Sequence, residues 1–145
     1  MHHSVNGLKL YFHDTPGNVL RNAQGQKVLV FCLHGYLDHG GTFQYLLKDL
    51  CWQAVAWDAR GFGQSAWIPA YDYYHFYDYL RDLHASLQMQ LQATQSNQVL
   101  LIGHSMGGML ASRFALLYPD VTTQLILVNP IGLENYLQYV QYKDV

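Results

Sequence analysis

The residues best suited to chemistry lie in the segment Gly103-His104-Ser105-Met106-Gly107, between an apolar run and a helical pattern. A serine on a tight strand-to-helix turn needs small neighbours, and Gly103 and Gly107 let the backbone turn sharply and leave the Ser105 hydroxyl exposed. The helix that follows directs backbone N–H groups toward negative charge on a carbonyl oxygen. This segment predicts Ser105 as a nucleophile in acyl transfer; the alternative is an ordinary glycine-rich turn.

A second segment could complete such a site. Acyl transfer needs two N–H donors for its oxyanion, one from the residue after the nucleophile and one from the loop after an adjacent strand. Met106 supplies the first, and Tyr36, in the loop that begins at His34, is the candidate for the second. Alternatively, His34 and His39 are polar loop residues or metal ligands. Two histidines without a third histidine nearby give poor support for a metal, and we expect none.

A third segment, Asp58-Ala59-Arg60-Gly61-Phe62-Gly63-Gln64-Ser65, reads as a structural turn. It lacks the third glycine of a dinucleotide fingerprint and the lysine of a P-loop. We expect Asp58 and Arg60 to hold the loop backbone by charge-assisted hydrogen bonds.

These segments are separated by alternating strand and helix patterns. Apolar, β-rich runs predict buried strands, and apolar residues at spacings of three and four predict helices. The strands are predicted at 8–12, 28–33, 54–57, 99–102 and 125–128, and the helices at 42–50, 72–92 and 106–118. The core face of the long helix is predicted to hold Tyr73, Phe76, Tyr77, Leu80, Leu83, Leu87 and Leu91. This alternation indicates an α/β fold with a mostly parallel sheet and helices on both faces.

Composition excludes several classes of protein. The chain has 145 residues, of which 50% are hydrophobic and 12% charged, with a net charge of −2. These values indicate one soluble globular domain and argue against a disordered, nucleic-acid-binding or anionic-membrane protein. No apolar run predicts a membrane span, and without a signal-peptide pattern the default compartment is the cytoplasm. Cys32 and Cys51 form neither a disulfide framework nor a metal-ligand spacing.

The motifs resemble the α/β-hydrolase superfamily in type, order and element. They are His34-Gly35, Asp58-x-Arg60-Gly61-x-Gly63-x-Ser65, Gly103-His104-Ser105-Met106-Gly107-Gly108 and Asn129-Pro130-Ile131-Gly132. The resemblance implies an eight-stranded sheet, a helical lid after the sixth strand, no cofactor, and hydrolysis of esters or related small acyl compounds. It also implies Ser105 as nucleophile and the Tyr36 and Met106 N–H groups as oxyanion hole, supported by the loop residues His34, Gly35, Gly103, His104 and Gly107. Serine at the elbow separates the chain from the superfamily's dehalogenases and epoxide hydrolases, which use aspartate there.

The rest of a catalytic triad is missing. In this fold the chain order is serine, then acid, then histidine, yet all eight histidines precede Ser105. We expect His34, His75, His84 and His104 to be structural. Asn129 stands at the end of the sixth strand, where some relatives place a carboxylate. The remaining acids are Asp120, Glu134 and Asp144, and none follows a predicted strand.

Two hypotheses therefore stay open. In the first, residues 1–133 are the N-terminal part of a hydrolase core, cut after about the sixth strand, and residues 134–145 begin a lid. This would be a serine hydrolase that forms an acyl-enzyme but is incomplete as it stands. In the second, the chain is a non-catalytic fragment or interaction domain that self-associates, or pairs with a missing C-terminal half, through its open sheet edge.

Overall fold

The structure is a computed structural model that describes residues 1–70 and 72–132. Its strands are β1 (His2–Val5), β2 (Leu8–Thr15), β3 (Leu20–Arg21), β4 (Lys27–Leu33), β5 (Ala54–Asp58), β6 (Gln98–His104) and β7 (Thr122–Val128). Its α-helices are α1 (Gln44–Leu50), α2 (Phe76–Thr94) and α3 (Met106–Leu117), and a 3₁₀ turn at Gly40–Phe43 precedes α1. The predicted domain boundary at 133/134 and the start of a lid lie outside the described residues.

One sheet joins all seven strands in the order β1-β2-β5-β4-β6-β7, with the two-residue β3 paired to β4. The neighbours β5, β4, β6 and β7 run parallel, whereas β1, β2 and β3 pair antiparallel. Leu33 at the end of β4 is in register with Gly103 near the end of β6. Since parallel strands end at the same edge, the loops after β4, β5, β6 and β7 meet there.

Helices cover both faces of the sheet, which confirms the predicted fold class. On one face, α2 and α3 cover a large core centred on Phe31, Trp57 and Leu101. On the other face, the 3₁₀ turn and α1 cover a smaller core with Cys32 at its centre. Continuous apolar runs such as β4 are explained by this arrangement, because alternate side chains enter opposite cores.

The sequence predictions were wrong in three places. Strands β1 and β3 were not predicted, because neither carries an apolar alternation and both form only by pairing with neighbouring strands. Helix α2 begins at Phe76 rather than at residue 72, since His75 has extended backbone. Tyr73 and Tyr77, predicted in the core, are 75% and 78% exposed. Leu83 and Leu87 are buried as predicted.

Strand β7 lies at one end of the strand order, and its outer face is open. Ile126 and Val128 are 42% and 44% exposed. On the opposite face, a cavity of about 380 Å³ lies between α3 and β7, bordered by Leu116, Leu125 and Leu127. No helix in residues 1–70 or 72–132 combines the length and the apolar character needed to span a membrane.

Candidate active site

Ser105 occupies a strained turn between β6 and α3. Its backbone has φ 51° and ψ −114°, a conformation that non-glycine residues rarely adopt, and Met106 is the first residue of the helix. The Ser105 N–H donates to the Val128 carbonyl at 3.0 Å, and its carbonyl accepts the N–H of Met109 and of Ile131 at 3.2 Å each. The segment after β7 therefore holds this turn in place.

The two glycines of the motif permit close packing around the serine. A Cβ atom added at Gly103 would lie 2.6 Å from the Gly107 carbonyl oxygen. One added at Gly107 would lie 2.6 Å from the His34 carbonyl oxygen and closer still to that of Leu33. Because only glycine leaves room for this contact, the first turn of α3 packs directly on the end of β4.

Two backbone N–H groups near Ser105 have no acceptor among the described residues. A Cβ added at Gly35 would lie 3.2 Å from the Ser105 Cβ, so the loop after β4 runs beside the elbow. Within the described chain, neither the Tyr36 nor the Met106 N–H donates to a backbone or side-chain acceptor. Met106 stands at the helix N-terminus, where N–H groups lack intrahelical acceptors and favour negative charge.

His34 supports the loop and has no free nitrogen. Its Nε2 accepts the Ala59 N–H at 3.0 Å, so the proton sits on Nδ1, which donates to the Gly35 carbonyl at 2.7 Å. Burial lowers the pKa of His34 below its ordinary value of 6.5, outweighing the Gly35 hydrogen bond and the Asp58 charge, which raise it. The side chain is neutral and locked between β4 and the loop after β5.

The described residues place no base on Ser105. Its Oγ has no hydrogen-bond partner among them. The adjacent His104 directs its Nδ1 at Gly35, whose added Cβ would lie 2.9 Å away. His84 stacks on Tyr118 at the opposite end of α3, with ring centroids 4.7 Å apart. These positions agree with a structural role for the histidines.

Asn129 occupies the position where some relatives place the acid, and it cannot ionise. Asn129 directly follows β7 and has positive φ, and its neighbour Val128 binds the Ser105 N–H. Asp120 precedes β7 and is exposed, so the seven-residue strand separates it from the Ser105 edge of the sheet by roughly 20 Å. Glu134 and Asp144 lie outside the described residues.

Asp58 holds the neighbouring loops as predicted, whereas Arg60 does not. The Asp58 carboxylate accepts the N–H of Gly40 at 2.7 Å and of Gln64 at 2.8 Å. Arg60 instead forms a bidentate pair with Asp82 of α2, at 2.6 and 2.8 Å. The prediction for Arg60 was wrong because this partner lies 22 residues away on a helix.

One group of metal-capable side chains exists in the described residues: His13, His39 and Asp58, whose ligand atoms lie within 4.8 Å of one another. His39 was considered as a ligand only with His34, which is not in this group. Asp58 already binds two N–H groups and His13 at 2.8 Å, and the His39 Nδ1 accepts the Gly41 N–H. These hydrogen bonds explain why the three side chains lie together, since they hold the loop after β4 in place.

The sheet order and the serine elbow define an α/β-hydrolase. Residues 24–142 match the family model described as "Serine aminopeptidase, S33", and the chain belongs to this family. It is 36% identical over 118 residues to a serine hydrolase-like protein of Danio rerio, covering 80% of this chain and 34% of that protein. It is 33% identical over 106 residues to epoxide hydrolase 4 of Mus musculus, covering 71% and 28%.

A solved structure agrees with these matches. A probable hydrolytic enzyme from Pseudomonas aeruginosa PAO1 superposes with a TM-score of 0.73 at 32% identity, covering 95% of this chain and 43% of that one. The chain therefore belongs to a lineage of hydrolases. It spans about a third of the length of the two curated relatives named above.

Proposed function

We propose that this chain supplies the nucleophile and oxyanion hole of a serine hydrolase that cleaves carboxylic esters or related acyl compounds. The observation that carries the proposal is the strained Ser105 turn, with two N–H groups beside it that have no acceptor in the described chain. Strain of this kind persists where the surrounding structure enforces it, and it concentrates at functional sites. Serine at the elbow, where epoxide hydrolases use aspartate, favours acyl transfer over epoxide opening.

The proposed reaction has two steps. Ser105 Oγ attacks the acyl carbon while a base takes its proton, and the Tyr36 and Met106 N–H groups bind the oxyanion that forms. Collapse of this intermediate breaks the ester bond, releases the protonated alcohol and leaves the acyl group on Ser105. Water then attacks the acyl-enzyme by the same route, releasing the acid and restoring the hydroxyl.

We further propose that the base and its orienting acid come from another segment. None of the chain's histidines follows Ser105, and the nearest one in sequence, His104, faces the Gly35 loop. Without the base, Ser105 is a weak nucleophile, because its hydroxyl loses its proton only at the cost of a high barrier. The 145-residue chain should therefore react with strong electrophiles and turn over esters very slowly.

Labelling with a fluorophosphonate tests the nucleophile, since this electrophile modifies serines that have an oxyanion hole. We expect slow, stoichiometric labelling that peptide mass spectrometry maps to Ser105 and that the Ser105→Ala variant abolishes. The control is Ser112→Ala, whose hydroxyl donates to the Gly108 carbonyl inside α3 and should label normally. Labelling spread over several serines, or retained in Ser105→Ala, would reject the proposal.

A second candidate function is suggested by β7, which pairs with one strand only among the described residues. Ile126 and Val128 are exposed, and an unpaired edge strand is a template for another strand. In this role the chain is a non-catalytic domain that pairs with a copy of itself or with the segment carrying acid and histidine. Sedimentation velocity distinguishes the roles: concentration-dependent association that Ile126→Lys removes supports pairing at this edge, and a monomer at all concentrations excludes self-pairing.

A further inference from the structure

Five aromatic side chains line a cavity beside the loop that contains Tyr36. The cavity has a volume of about 370 Å³ and lies between the loop after β4 and residues of the ranges 61–67 and 74–79. The aromatic side chains that border it are Tyr36, Phe62, Trp67, Tyr74 and Tyr79. Tyr79 and Phe62 also belong to the large core, whereas Tyr36, Trp67 and Tyr74 are exposed and are not part of either core.

Four of the rings form a connected series, and Trp67 borders the cavity without stacking on any of them. Tyr36 meets Phe62 edge-on with centroids 5.7 Å apart, and Tyr74 stacks on Tyr79 at 6.2 Å. Tyr36 and Trp67 are 68% and 72% exposed, so large π surfaces face solvent. The face of an aromatic ring carries the negative part of its quadrupole and attracts cations.

The cavity also contains a carboxylate. Asp38 borders it, and its Oδ1 accepts the His39 N–H at 2.8 Å and the Thr42 hydroxyl at 2.5 Å. Although burial acts to raise the pKa of Asp38, these hydrogen bonds prevail and lower it below its ordinary value, so the group is ionised at neutral pH. No lysine or arginine of the described chain pairs with Asp38.

His39 and Tyr79 also border the cavity. The His39 Nδ1 accepts the Gly41 N–H, as an unprotonated ring nitrogen does. Burial raises the pKa of Tyr79 to about 12, which keeps its phenol protonated. The cavity therefore combines a single negative charge with aromatic walls, and no bordering residue is a lysine or an arginine.

We infer that this cavity binds a quaternary ammonium group, held by the aromatic faces of Tyr36 and Trp67 and by the Asp38 carboxylate. A primary ammonium is less suitable, because it needs three acceptors and Asp38 is the one carboxylate at the cavity. Since Tyr36 also bears a proposed oxyanion donor, the ammonium group would be part of the substrate. The assignment of the ammonium group to the substrate rests on the proposed function, whereas its binding in the cavity does not.

The test compares choline with 3,3-dimethyl-1-butanol, which has the same shape without the charge. The 145-residue chain is titrated with each compound, and amide and indole shifts are followed by NMR. We expect choline to bind saturably, about tenfold more tightly than the neutral alcohol, with shifts confined to the loops around Tyr36 and Trp67. Equal affinities, or shifts elsewhere, would overturn the inference.

Four variants make the test specific. Asp38→Asn should weaken choline binding at least about fivefold, whereas Asp49→Asn, which removes a charge from the surface of α1, should not. Trp67→Leu alters an exposed ring and should weaken choline binding without affecting folding. If Asp49→Asn weakens binding as much as Asp38→Asn, or if Trp67→Leu has no effect, the cavity is not the site. Ser105→Ala should bind choline normally, which separates this inference from the proposed function.

Discussion

The candidate site depends on a few residues whose backbone or burial is unusual. Ser105 keeps a conformation that costs of order 1–3 kcal/mol for a non-glycine residue, and hydrogen bonds to Val128 and Ile131 maintain it. Glycine at 107 allows the helix to reach the end of β4. The strain is therefore stabilised by contacts with two neighbouring loops rather than by the turn itself.

Substituting Gly107 should destabilise the fold more than substituting a glycine that has open space. Gly107→Ala places a Cβ against two carbonyl oxygens, and we expect a loss of roughly 2–3 kcal/mol in the free energy of unfolding. Gly25→Ala is the matched control: Gly25 has φ +78° but nothing within 4 Å of an added Cβ, so only about 1–2 kcal/mol of backbone strain applies. Urea denaturation measures both, and a smaller loss for Gly107→Ala would contradict this packing.

His34 should make the fold sensitive to mild acid. The pKa of His34 is lower in the folded protein than its ordinary value of 6.5, which applies in the unfolded chain. At pH values between the folded and the unfolded pKa, the unfolded chain therefore binds more protons than the folded protein does. The contribution to stability is therefore complete above pH 6.5 and falls as the pH drops below it, by up to about 1.4 kcal/mol per pH unit. His34→Gln keeps an acceptor for the Ala59 N–H and cannot titrate. Urea midpoints from pH 7.5 to 5.5 should fall more steeply for the wild type, and parallel curves would refute the assignment.

Among the secondary-structure elements, α2 is attached to the sheet by a buried ion pair. Arg60, in the loop after β5, is 4% exposed and Asp82 is 0% exposed. Their bidentate geometry is supplemented by Asn6, whose Nδ2 donates to Asp82 Oδ1 at 2.9 Å. Three segments distant in sequence therefore meet at one carboxylate.

Breaking this pair on one side should be costly, because it leaves a buried charge without its partner. We expect Arg60→Met to lower the free energy of unfolding by roughly 3–5 kcal/mol, and Asp82→Leu added to it to restore part of the loss. Arg81→Ala is the control, since its contact with Asp78 is 3.5 Å long and largely exposed; it should change stability by less than about 1 kcal/mol. Circular dichroism in urea measures all three. A double variant less stable than Arg60→Met would argue against a charge-based cause.

The sequence predicted the elements that depend on local pattern and missed those that depend on distant partners. The strands at β4, β5, β6 and β7 were predicted because they are continuous apolar runs. The buried face of α2 was only partly predicted, since Asp82, Ser86 and Gln90 are also buried there. Polar residues give no apolar periodicity, and the partner of Asp82 is known only once the sheet has formed.

At the scale of the whole molecule, the order of strands and helices in the sequence predicted which loops meet at the candidate site. Parallel strands bring the loops at 34–38, 58–65 and 103–107 to one edge, as the strand–helix alternation predicts. The carboxylate beside the aromatic cavity could not be predicted, because Asp38 and Trp67 are brought together only by the two loops. The fold thus presents a strained serine turn and two N–H groups at an edge where no described histidine reaches the serine.

We propose that Ser105 is positioned as a nucleophile and that its base and orienting acid come from another segment. Added imidazole can take the place of a missing base, so the measurement is the hydrolysis rate of p-nitrophenyl acetate with and without imidazole. The rate of Ser105→Ala is subtracted at each concentration to remove the reaction of imidazole itself. We expect a saturable, Ser105-dependent increase of at least about tenfold, a small part of the roughly 10²–10⁴-fold that a positioned general base contributes. Identical imidazole dependence in the wild type and in Ser105→Ala would contradict it.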